Sequence, residues 1–142
     1  MSETNKYWKF DNPNPSQKYK KNGNPYQWKK PDCSVRAIAF SLGTDWLTAY
    51  NILCDIGRDL LDVPNSLPVM ETALQKYGVE KHVCKIQKGE KRPTVNDIAK
   101  QSKNSVFFAN LANHCVCIKN GYFYDTWDCG NLSVYSYWEK KI

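Results

Sequence analysis

The sequence predicts one α+β domain of 142 residues, with helices in the first part of the chain and an antiparallel β-sheet in the second. Up to residue 101, apolar side chains recur at helical spacing in several segments. Residues 105–140 instead consist of short runs rich in aromatic and β-branched residues. Between two of these runs lies Asn120-Gly121, a strong signal for a tight hairpin, which makes its flanking strands antiparallel.

Each predicted helix follows a polar residue that can cap a helix N-terminus. These residues are Asp32, Thr44, Ser66 and Thr94. Gly43 and Gly78 are natural stops after the first and third helices. In the short fourth helix, Asp97 occupies the third position, where a carboxylate interacts favourably with the helix dipole.

The predicted strands cover 79–86, 105–111, 114–119, 122–128 and 132–140. With Asn120 and Gly121 as the turn, Lys119 faces Tyr122, and the numbers of paired residues sum to 241. His114 and Asp125 then share a face as diagonal neighbours, close enough for a carboxylate to orient an imidazole. Cys115 and Cys117 point to the opposite face, so they are poor partners for His114 in a metal site.

The first part of the chain is basic. The protein carries a formal charge of +6, and residues 1–31 hold seven lysines against Glu3 and Asp11. Aromatic residues are interleaved with these lysines, a pattern that suits nucleic acid or an acidic protein. The alternative is a solvated arm whose aromatic side chains rest on the domain. We therefore predict a basic N-terminal arm over 1–24 and a single domain over 25–142.

Six cysteines are present, but no apolar signal segment precedes them. No apolar run approaches the length of a membrane span. We expect a cytoplasmic protein with reduced thiols, no membrane association and no cofactor. A metal site is not expected either, because the cysteines form no C-x-x-C pair.

Cys33 is the thiol most favourably placed for chemistry. It lies in the first turn of the first predicted helix, where free N–H groups and the helix dipole stabilise a thiolate. A nearby imidazole would exchange the proton, and a carboxylate behind it would fix the imidazole tautomer. His114 and Asp125 are candidates for these roles. The backbone N–H of Cys33 and the side-chain amide of Gln27 are candidate donors to an oxyanion.

The order Gln-x5-Cys, then His, then Asp resembles the papain-like cysteine peptidase superfamily. The stretch "HCVCIKNGYFYDTWD" looks like the His-to-Asp segment of bacteriocin-processing peptidase domains. The segments "DCSVRAIAFSLG", "PTVNDIAK" and "NHCVCIKNGYFYDTWD" are also similar to those of a small group of proteins from bacteria and their phages. The similarity covers roughly residues 25 to 130. Unlike many papain-like enzymes, which have an aromatic residue or Gly beside the nucleophile, this chain has Asp32 before Cys33 and Ser34 after it.

The resemblance implies a papain-like fold in which the nucleophile heads a helix packed on an antiparallel sheet. It assigns Cys33 as nucleophile, His114 as general base, Asp125 as orienting acid and Gln27 as oxyanion donor. The implied activity is a thiol hydrolase or acyl transferase acting on a peptide or isopeptide amide of a peptide or protein substrate. The alternative is a non-catalytic papain-like binding module whose basic arm engages nucleic acid or an acidic partner.

Overall fold

The computed structural model describes residues 4–15, 20–21, 24–25 and 31–141. The described residues contain four helices: α1 (Cys33–Leu42), α2 (Trp46–Leu60), α3 (Leu67–Lys76) and α4 (Val95–Gln101). They also contain eight strands: β1 (Trp8–Phe10), β2 (Lys20–Lys21), β3 (Asn24–Pro25), β4 (Glu80–Val83), β5 (Ser105–Leu111), β6 (His114–Lys119), β7 (Tyr122–Asp125) and β8 (Ser136–Lys141). This arrangement confirms the predicted α+β class.

Six of these strands form one sheet in the order β1-β7-β6-β5-β8-β4, while β2 and β3 pair only with each other. The C-terminal strands pair antiparallel, as predicted, and one parallel pair, made by β1, makes the larger sheet mixed. β1 runs parallel to β7, with Trp8 opposite Phe123 and Phe10 opposite Asp125. This three-residue strand lies within the predicted arm, and it occupies the edge that β7 would otherwise leave unpaired.

The sheet is covered on both faces. On one face, α1, α2 and α3 pack with Phe108, Cys115 and Trp138 in the larger apolar cluster. On the other face, α4 packs with side chains of the central strands, including Val116, Ile118 and Phe123. The two clusters place α1 against the centre of the sheet, where six of its ten residues are buried.

The helix caps follow the sequence prediction with two exceptions. Ser66 and Thr94 cap α3 and α4, and Asp97 completes a capping box by accepting a hydrogen bond from the Thr94 backbone. The cap of α2 is Asp45, whose side chain accepts a hydrogen bond from the Thr48 N–H, and not Thr44. Asp32 occupies the cap position of α1, but its side chain makes no capping hydrogen bond.

The predicted register of the β6–β7 hairpin is confirmed. Lys119 pairs with Tyr122, and Ile118 pairs with Phe123. Asn120 and Gly121 both adopt the left-handed conformation, with φ values of 54° and 85°. Such a turn matches the twist of the strands that it joins. The described helices include none with the length and apolar content needed to cross a bilayer.

Candidate active site

His114 and Asp125 meet across the β6–β7 hairpin. Nε2 of His114 lies 2.6 Å from Oδ2 of Asp125. The side chain of Asp125 is 1% exposed and that of His114 is 8% exposed, so water screens this pair weakly. His114 begins β6 and Asp125 ends β7, and the hairpin register therefore brings them together, as the sequence predicts. Their contact leaves Nδ1 of His114 for another partner.

The Cys33 thiol, at the first turn of α1, is the second side chain that interacts with His114. Cys33 interacts with two adjacent residues of β6, His114 and Cys115. The hydrogen bond from the Cys115 thiol is the largest cause that lowers the pKa of Cys33. Burial opposes it, but the hydrogen bond and charge of His114 lower the pKa further, to about 4.

The pKa of the His114 imidazole is shifted in the opposite direction. Burial lowers the pKa of His114, but hydrogen bonds to Asp125 and Cys33 and the charges of both outweigh it. Together they raise the pKa of His114 to about 9. These opposite pKa shifts favour a Cys33 thiolate paired with a His114 imidazolium near neutral pH. This is the protonation state from which a cysteine attacks a carbonyl.

Arg36 links the helix to this pair, and the sequence analysis did not identify it. Its NH1 group donates to Oδ1 of Asp125 at 2.9 Å, and its Nε donates to Oδ1 of Asp32 at the same distance. Arg36 is 7% exposed. One signal was available: an arginine stands inside the apolar run "VRAIAF", four residues after an aspartate, where a buried partner is required.

The carboxylate of Asp32 is fully engaged. Besides the Arg36 guanidinium, it accepts hydrogen bonds from Asn14 Nδ2 at 2.9 Å and from Trp46 Nε1 at 3.0 Å. The sequence placed this negative charge next to Cys33, where it would oppose a thiolate. In the fold, Arg36 balances the charge of Asp32. The Asp32 side chain makes no capping hydrogen bond to α1.

The rest of the Asp125 side chain is also satisfied. Oδ1 accepts from the Thr126 N–H at 2.7 Å, and Oδ2 accepts from the Cys129 thiol at 3.3 Å. Burial raises the pKa of Asp125, but the hydrogen bonds of His114 and Arg36 outweigh it and keep this pKa below its ordinary value. Asp125 is therefore an ionised, rigidly held carboxylate behind the imidazole.

Trp127 covers the imidazole from the solvent side. The ring centroids of His114 and Trp127 are 4.8 Å apart, and Trp127 is 40% exposed. At the edge of the sheet, the indole N–H of Trp8 donates to the backbone oxygen of Asp125 at 3.0 Å. The predicted arm therefore supports the residue that orients His114.

His114, Asp125 and Cys129 are the one group of described residues whose arrangement could hold a metal ion, with ligand atoms within 4.8 Å of one another. However, burial and the charge of Asp125 raise the pKa of the Cys129 thiol well above its ordinary value. In this structure the Cys129 thiol donates a hydrogen bond to the carboxylate of Asp125.

Of the sequence-predicted site residues, the structure brings Cys33, His114 and Asp125 together, while Gln27 lies outside the described residues. Asp128, the other carboxylate that follows β7 closely, accepts hydrogen bonds from Asn5 and the Gly130 N–H and not from His114. No family model, curated protein or solved structure matches this chain. The site must therefore be judged by its own chemistry.

Proposed function

We propose that this protein is a thiol hydrolase or acyl transferase that acts on a peptide or isopeptide amide, in the manner of papain-like cysteine peptidases. The observation that carries the proposal is the place of Cys33 at the start of α1, where it interacts with His114, which is backed by Asp125 at 2.6 Å. A nucleophile, a proton carrier and an orienting carboxylate occur together in the geometry that acyl transfer needs.

The reaction follows from the positions of these groups. The Cys33 thiolate attacks the amide carbon, and a tetrahedral intermediate forms. His114 gives its proton to the leaving amine, so the C–N bond breaks and a thioester remains on Cys33. The neutral imidazole then takes a proton from water or from an acceptor amine, which attacks the thioester and releases Cys33. Asp125 holds the Nε2 atom of His114, so the proton that His114 gives and takes is the one on its Nδ1 atom.

The oxyanion of the tetrahedral intermediate needs donors near the helix start. The backbone N–H of Cys33 lies in the first turn of α1, where it has no partner within the helix. Gln27 is the proposed second donor, by resemblance. If its side-chain amide has this role, Gln27→Ala should remove about 2.7–4 kcal/mol of transition-state stabilisation.

The nucleophile can be tested before any substrate is known. Iodoacetamide should alkylate Cys33 at pH 6 nearly as fast as at pH 8, because its pKa is about 4. An ordinary thiol gains about tenfold in rate per pH unit over this range. Peptide mapping by mass spectrometry gives the rate for each of the six cysteines. Labelling of Cys33 no faster than that of Cys54, another partly buried thiol, would contradict the proposal.

The reaction class requires a second experiment. A peptide library derived from a bacterial proteome is incubated with the protein, and new termini are identified by mass spectrometry. Cys33→Ala serves as the matched control, since it removes one sulfur from a partly buried position. Cleavage by the native protein but not by the variant supports the proposal. Cleavage by both would exclude Cys33 as the nucleophile.

The second candidate is a binding module for nucleic acid or an acidic protein. In the described part of the arm, Lys6 and Lys9 are exposed, and the Lys9 ammonium lies 4.5 Å from the centre of the Tyr122 ring. Basic and aromatic groups on one surface are typical of single-strand binding. Salt-dependent retention on heparin, reduced by Lys6→Glu with Lys9→Glu, would support this reading. Point variants are preferable to deleting the arm, because Trp8 supports the site.

A further inference from the structure

Cys115 is a buried thiol in contact with the nucleophile that the proposed reaction does not use. Its sulfur lies 3.9 Å from the sulfur of Cys33 and 3.9 Å from the hydroxyl oxygen of Ser34. Cys115 is 4% exposed, whereas Cys33 is partly exposed. The two sulfurs are thus in van der Waals contact, one reachable from solvent and the other protected behind it.

We propose that Cys33 and Cys115 form a reversible disulfide when the protein meets a peroxide, so that Cys115 acts as a resolving thiol for the nucleophile. The proposal rests on the thiolate character of Cys33 that the proposed function also invokes. Beyond the proposed function, it names Cys33 as a modification site, peroxide as the class of oxidant and Cys115 as the partner residue. It concerns oxidation of the protein and needs no amide substrate.

The chemistry balances in two steps. The Cys33 thiolate attacks one oxygen of hydrogen peroxide, the O–O bond breaks, and Cys33 sulfenic acid and hydroxide form. The Cys115 sulfur then attacks the sulfenic sulfur, the S–O bond breaks, and the thiol proton leaves with the hydroxyl group as water. The two sulfurs lose two electrons to peroxide, and a dithiol such as dithiothreitol returns them.

The distance permits this bond. A disulfide requires a sulfur–sulfur separation of about 2.05 Å, so the sulfurs must approach by less than 2 Å. The side chain of Cys33 is only partly enclosed, so rotation about its Cα–Cβ bond can move its sulfur.

Oxidation of Cys33 to sulfenic acid also favours the attack by Cys115 that follows it. The hydrogen bond to Cys33 is the largest cause that raises the pKa of Cys115, with burial next and the Cys33 charge after it. Sulfenic acid is neutral, so its formation removes the negative charge that holds the proton on Cys115. The buried thiol then becomes a better nucleophile towards Cys33.

The test uses the full chain treated with hydrogen peroxide, with free thiols blocked before digestion. Trypsin releases Cys33 and Cys115 in separate peptides, but Cys115 shares its peptide with Cys117. Cys117→Ala is therefore the matched control, since Cys117 lies on the same strand and is also fully buried. We expect a cross-linked peptide, two mass units lighter than its parts, in the native protein and in Cys117→Ala.

In Cys115→Ser, which keeps a hydrogen-bond donor beside Cys33 but cannot form the disulfide, we expect Cys33 to pass on to sulfinic acid. Iodoacetamide reactivity of Cys33 should then stay lost after dithiothreitol, whereas the native protein should recover most of it. The inference is overturned if the native protein gives no Cys33–Cys115 peptide, or if Cys115→Ser recovers as fully as the native protein. A cross-link in a protein that cleaves no amide would leave this inference standing and remove the proposed function.

Discussion

Arg36 offers the sharpest test of how the site is held together. Its guanidinium joins Asp32 on the same helix to Asp125 on the sheet, with both contacts at 2.9 Å. The substitution Arg36→Met keeps the length and apolar stem of the side chain and removes the charge and the donors. The partly buried Asp32 and the buried Asp125 then lose the guanidinium that they share.

The expected cost follows from what remains around each carboxylate. Breaking a buried ion pair typically costs about 3–5 kcal/mol. Asp32 keeps its bonds from Asn14 and Trp46, and Asp125 keeps His114 and the Thr126 N–H. We therefore expect the lower end, about 3 kcal/mol of unfolding free energy. In a domain of this size, that corresponds to a fall in Tm of roughly 10 °C.

Arg36 also acts on the imidazole through Asp125. Without the guanidinium, the negative charge of Asp125 acts on His114 alone, so the imidazolium is stabilised. The pKa of His114 should rise above its value of about 9, so the loss of the imidazolium, followed by the NMR shifts of the His114 ring, should move to higher pH. Arg36→Lys, which keeps the charge, should restore most of the native pH profile. If Arg36 only stabilises the fold, Arg36→Met should leave this pH profile unchanged.

The assay is urea unfolding at pH 7, with the ring of His114 titrated by NMR between pH 5 and pH 10. Arg58→Met is the matched control, because Arg58 makes the same kind of helical pair with Asp55 but 74% of its side chain is exposed. This control should change stability by less than about 0.5 kcal/mol. If Arg36→Met costs no more than Arg58→Met, the ion-pair bridge is not what holds the site.

Three further predictions test the remaining contacts. His114→Ala should raise the pKa of Cys33. Iodoacetamide should then label Cys33 more slowly at pH 6, with little change in rate at pH 9. Equal slowing at both pH values would contradict the ion pair. Asp125→Asn should reduce peptide cleavage less than either Cys33→Ala or His114→Ala, and Asp128→Asn, the control, should leave it near native. The lowered Cys33 pKa contributes stability that is lost as pH falls from 9 to 4, and the raised His114 pKa contributes stability that is lost as pH rises from 6.5 to 9. The two contributions oppose each other above pH 6.5, so urea unfolding should show a loss of stability towards pH 4 that is smaller in Cys33→Ala.

The sequence by itself determined the elements and one pairwise contact of the site. The Thr94–Asp97 capping box and the Asn120-Gly121 turn are local patterns, because cap and turn geometry depends on a few consecutive residues. The same turn fixes the hairpin register. Since side chains alternate along a strand, that register alone brings His114 next to Asp125.

The tertiary structure decided what surrounds that pair. β1 pairs with β7 although more than a hundred residues separate them. Because β1 is only three residues long, its sequence shows no periodicity that would predict this pairing. Arg36 meets Asp125 only because α1 packs on β6, beside the end of β7. Cys33 reaches both His114 and Cys115, which point to opposite faces of β6, because the start of α1 lies at the start of this strand. Such contacts depend on which helix packs on which strands, and no spacing within one segment encodes that choice.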